Sequence, residues 1–203
     1  MTVRCMEPSH KLYAGGIAIG IIIGIGAFVL FGDQLPTRST IAPPISTAYA
    51  TWKTVAPRTL FFAAKMPTDA THIHQDLQGP TSVVLAQDAY SANDEAGTTY
   101  FIIATTLPST IPPTETDVLL HDALRGMVRQ VTGNVLASAE LTAYHGKRAI
   151  QFVIRNADEH TSFSGVMFFD AQMLYQVFVA STVDPAPQAN IAYFLSAFTP
   201  RSP

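Results

Sequence analysis

The sequence predicts an α+β fold: an antiparallel β-sheet with helices on both faces, an α-β-α sandwich, preceded by one transmembrane helix. Three observations carry this expectation. The run Tyr13–Phe31 (YAGGIAIGIIIGIGAFVLF) has nineteen residues and no charge. Beyond it, seven β-prone runs follow one another with short turn-forming links. Two stretches with apolar residues at helical spacing interrupt the strands, one midway and one at the end.

Composition bounds the rest. Of 203 residues 48% are hydrophobic and 13% charged, the latter roughly half the ~25% usual for a soluble chain. Twelve basic residues stand against fifteen acidic ones, for a net charge of -3 and a pI near 6.0. That balance excludes an electrostatic nucleic-acid binder, and the hydrophobic content argues against disorder. A single cysteine, Cys5, allows no internal disulfide and no multi-thiolate metal site.

The elements follow in chain order. Residues 1–12 read as a cytoplasmic N-terminus and 13–32 as a transmembrane helix, whose nineteen charge-free residues cover about 29 Å of the ~30 Å hydrocarbon core. Arg4, Lys11 and the α-amino group precede it, whereas Asp33 and then Arg38 follow, so the positive-inside bias places the remainder outside the cytoplasm. Ala48-Tyr49-Ala50 has a cleavage-site form but lies seventeen residues past Phe31, too far for a signal peptide. Gly16, Gly20 and Gly24 recur every fourth residue on one helix face, the spacing that lets a neighbouring helix approach closely. Residues 33–50, with Pro36, Pro43 and Pro44, read as a Pro/Thr/Ser-rich spacer.

Residues 51–203 form the outer domain. Thr59–Met66, Ser82–Tyr90 and Thr98–Leu107 are strand-like, the last two joined by a hairpin loop at Asn93–Gly97. A helix then starts at Thr114, a candidate N-cap followed by Glu115 and Asp117. It carries the stripe Leu120, Leu124, Met127 and Val131, and stops at Gly133. Val135–Tyr144, Lys147–Arg155, Phe163–Asp170 and Met173–Ser181 are joined by links short enough for an antiparallel meander. A second helix, 187–198, brings Ile191, Phe194, Leu195 and Phe198 onto one face.

Several of these segments carry a family resemblance. The strand end from Phe62 to Pro67, YFIIATTLP at 100–108, YHGKRA at 144–149, MLYQVFV at 173–179 and YFLSAF at 193–198 occur in an order that resembles the PsbP-like superfamily. That group includes a nuclear import factor, Mog, and a periplasmic lipoprotein, DcrB. The likeness covers about 57–200. It implies the α-β-α sandwich and a largely non-catalytic role, as an extrinsic or assembly subunit of a membrane complex or as a small binding module. These are packing motifs, and a fold alone does not fix function.

Chemistry is sparse. His72, His74 and Asp76 alternate, so in an extended segment two imidazoles and a carboxylate project to one side and are the weak metal candidates. Against this, the segment reads as a polar loop between Pro67 and Gly79-Pro80, and no third histidine stands at helical spacing. His121, His145 and His160 read as surface or turn residues, and no nucleophile motif, phosphate loop or dinucleotide fingerprint occurs. No catalytic residue, metal or cofactor is therefore assigned. The outer domain holds only nine basic and thirteen acidic residues, a depletion that fits docking against other protein.

The expectation from the sequence is a non-catalytic accessory or assembly subunit of a larger bacterial membrane complex, photosynthetic or respiratory by the resemblance. It would be single-pass in the inner membrane with a periplasmic domain, and its partners would be other membrane subunits and the lipid bilayer. A free-standing anchored binding or chaperone module is the alternative, and a metal-dependent enzyme the remote one.

Overall fold

Over residues 49–78, 84–182 and 188–201, which this computed structural model describes, the chain runs β1 (Lys53–Val55), β2 (Phe62–Met66), β3 (Thr71–Gln78), β4 (Val84–Asn93) and β5 (Thr98–Thr106). It continues through α1 (Thr116–Arg129), β6 (Asn134–Tyr144), β7 (Lys147–Asn156), β8 (Thr161–Asp170), β9 (Met173–Ser181), α2 (Gln188–Ala197) and β10 (Thr199–Pro200). Seven strands form one sheet in the order β3-β4-β5-β9-β8-β7-β6, every neighbour antiparallel. β1, β2 and β10 form a second sheet of three.

The large sheet is two meanders joined at its centre. β3, β4 and β5 are one; β6 to β9 are the other, and β5 pairs with β9. α1 carries the chain from the central β5 out to β6 at the far edge, packing over β6, β7 and β8 on the way. Tight turns make the second meander possible: His145 and Gly146 both take positive φ, as a two-residue hairpin loop requires. Central strands are covered on both faces, which is why β5 and β9 read as nearly continuous apolar runs.

Alternation divides the core in two. Phe101 and Ile103 of β5 face α1 and join Leu119, Leu120, Ala123, Leu124 and Met127. Tyr100, Ile102 and Ala104 face the other way, toward Trp52, Phe62 and Met66 of the small layer and Ile191, Phe194 and Phe198 at and just beyond α2. Phe198 stacks on Phe62 at 5.2 Å and meets Tyr175 edge-on at 5.5 Å. Full burial of each such ring contributes about 1.5–3 kcal/mol. Two hydroxyls then lock the layer to the sheet: Tyr175 donates to Leu60 O at 2.6 Å and Tyr144 to Leu195 O at 2.5 Å.

The expected fold class needs correction. The described chain is mainly β, with 54% strand against 17% helix and two sheets, and is not the expected α-β-α sandwich. One face of the large sheet is covered by α1, and the other by a second sheet together with the ten-residue α2, which packs on β8 and β9. The single-pass inner-membrane placement is corrected too. No helix among the described residues is long and apolar enough to cross a membrane. α1 has fourteen residues and α2 ten, about 21 and 15 Å against a ~30 Å core. The run 13–32, its glycines Gly16, Gly20 and Gly24, Cys5 and most of the spacer lie outside the described residues.

Smaller differences have local causes. The cap of α1 lies one residue later than expected: Glu115 is the N-cap, without a side-chain capping bond, and Thr116 Oγ1 donates instead to Pro112 O at 3.2 Å. The chain leaves the helix through Gly133, whose φ of +85° favours glycine. A Cβ there would also crowd Asp158 Oδ2 at 2.6 Å.

Candidate functional site

The histidine segment is not a loop. It is β3, an outer strand, and its register sets His74 opposite Asp88 and His72 opposite Tyr90. His72 Nε2 lies 2.7 Å and His74 Nδ1 3.0 Å from the same oxygen, Asp88 Oδ1. A carboxylate oxygen accepts, so each ring donates an N–H to Asp88. His72 also stacks on Tyr90 at 4.4 Å. Asp88 is only 12% exposed, whereas Asp76 is 67% exposed and 3.8 Å from His74 Nε2. The structure therefore gathers His72 and His74 around Asp88, with Asp76 on the outer side of the His74 ring. Among the described residues no three His, Cys, Asp or Glu side chains are arranged to hold a metal ion.

Asp88 is invisible to sequence reasoning because it is sixteen residues from His72 and meets it only through the β3–β4 register. The opposite side of the same strands carries a second polar row. Gln75 Nε2 donates to Gln87 Oε1 and Gln87 Nε2 to Thr105 Oγ1, both at 2.9 Å. Both rows tie the outer strands β3 and β4 together, the second reaching into β5.

The remaining charged pairs are at the surface. Arg148 donates twice to Asp117, at 2.7 and 2.9 Å, joining β7 to the first turn of α1. The guanidinium holds the Asp117 carboxyl below its ordinary range, and Asp117 in turn raises Arg148. Asp122 pairs with Arg125 and Lys147 with Asp170. His145 and His160 sit in turns, both at positive φ.

The other edge of the large sheet is different in kind. β6 is eleven residues long and has a strand partner on one side only among the described residues. Every residue from Val135 to Glu140 is exposed, with Val135 at 64% and Leu136 at 40%. Its single charge is Glu140. Sheet edges are normally blunted by charge, proline or irregularity, because their free N–H and C=O groups template pairing with another strand. β3 has His72, His74 and Asp76 for that purpose, but β6 has one glutamate and a bulge between Leu136 and Ser138. The low charge of the sequence points toward such a surface, but only the strand order shows where it lies. In comparison with known proteins, the chain matches no family model and none of the curated proteins.

Proposed function

We propose that the domain is a non-catalytic docking subunit that joins a larger protein assembly by strand addition at β6. The carrying observation is the long outer strand with one charge and two exposed aliphatic side chains, Val135 and Leu136. Strand addition draws affinity from main-chain hydrogen bonds and selectivity from alternate side chains. The sheet behind β6 supports this, since β6 pairs with β7 along its whole length and β7 with β8.

The test uses the full chain carrying an affinity tag. A stoichiometric protein partner is expected with the wild type, and the β6 amides should be protected from hydrogen exchange in that complex. Ala139→Lys, an edge charge of the kind that blocks pairing, should release the partner while leaving the circular dichroism and melting temperature unchanged. Retention of the partner by Ala139→Lys, with β6 amides exchanging as fast in the complex as free, removes the reading.

A further inference from the structure

The geometry points to a second copy of this chain as the strand that occupies the β6 edge; this rests on the reading of β6 as a docking edge. An antiparallel pair of β6 strands has its two-fold axis perpendicular to the sheet. Directly opposed residues then lie on the same face, and the axis falls at one residue facing its own copy. The register is further limited by the bulge. Regular pairing with β7 runs from Ser138 to Tyr144 and is broken between Leu136 and Ser138. Using the whole regular run against itself puts the axis at Leu141.

That register is self-complementary. Leu141 and Ala139 pair on the inner side with Ile150 and Phe152, both of the α1-side core, so the face shared with α1 is Ala139, Leu141, Ala143. Across the axis Leu141 meets Leu141 of the other copy, and Ala139 meets Ala143. On the opposite face Glu140 meets Thr142 and Ser138 meets Tyr144. The only charge of the run faces a threonine. Moving the axis one residue to Glu140 would set like charges directly opposite one another, which is destabilising. Moving it to Ala139 would lay the bulge against the regular run. The product is a continuous sheet of twice seven strands, with both copies of α1 on one face.

The experiment is disulfide trapping in the full chain with Cys5→Ser. Leu141→Cys places a thiol opposite its own copy, so mild oxidation should give covalent dimer several-fold faster than Glu140→Cys, whose opposite residue is Thr142. Wild-type chain, measured without any substitution, should sediment as a dimer and protect amides 138–144 increasingly as concentration rises. Equal trapping at 140 and 141, or a monomer with concentration-independent exchange, overturns self-pairing. If the monomer nevertheless protects β6 when bound to a different protein in the capture experiment, the docking reading survives and self-pairing alone falls. If β6 is unprotected in both experiments, both readings fall.

Discussion

Gly165 in β8 has no room for a side chain. A Cβ there would lie 2.3 Å from both Phe178 Cβ and Val177 O of β9. Backbone cannot yield without opening the β8–β9 pair, so Gly165→Ala should cost at least ~3 kcal/mol in urea unfolding. A cost under about 1 kcal/mol, within the range of a tolerated core swap, would mean that the two strands pair more loosely than this spacing implies. Three tyrosines make a second residue-scale prediction. Burial, then Asp94, raises Tyr100; burial alone raises Tyr144; burial, then Asp170, pushes Tyr175 up to about 12. An unfolded tyrosine releases its proton near pH ~10. Above that pH the folded chain holds protons that the unfolded chain has lost, so stability is intact below pH ~10 and falls as pH rises toward about 12. Tyr175→Phe, which also loses the bond to Leu60 O, should be less stable at neutral pH yet lose stability less steeply above pH ~10. An unchanged slope would remove Tyr175 from the effect.

At the scale of the element, β3 buries Leu77 but is otherwise held by cross-strand polar contacts. Asp88→Ala takes the shared acceptor from His72 and His74, and bonds to a charged group are each worth about 1.5–3 kcal/mol. The loss should be local: amides of 71–78 exchange faster while those of 98–106 are unchanged. Acceleration of both strands alike would make Asp88 a support of the whole sheet. The same strand shows where the sequence is readable. β5 and β9 are covered on both sides and show it as unbroken apolar runs; α1 shows its buried stripe through Leu120, Leu124 and Met127. β3 has polar residues at 72, 74, 75 and 76, so no clear alternation marks it, and the carboxylate its histidines share comes from β4, sixteen residues on from His72. β1 and β10, of three and two residues, are too short to carry any period. The pattern therefore offers helices for both faces of the large sheet and gives no sign of the second sheet.

At the scale of the molecule, the question is whether the two core layers unfold as one. They share no large buried cluster, but they share β5 and β9, where Tyr100 and Phe101 are neighbours pointing into opposite layers. Trp52 is the only tryptophan of the chain and lies in the small-sheet layer, edge-on to Tyr100 at 5.2 Å. Its fluorescence thus reports one layer, while far-ultraviolet circular dichroism reports the whole sheet. Leu120→Ala opens a cavity in the other layer, at a fully buried position on α1, and should cost about 2–5 kcal/mol. Because any separation of the layers must expose one face of β5 and β9, the Trp52 transition should move by the same amount as the dichroism transition, and the two should superimpose. Phe198→Ala, which removes a ring touching Phe62, Phe168 and Tyr175, should likewise shift both probes together from the opposite side, by about 3–5 kcal/mol. A Trp52 transition that stays in place when Leu120 is cut back would mean that the small sheet and α2 melt independently. The shared central strands would then connect the layers without making them cooperative.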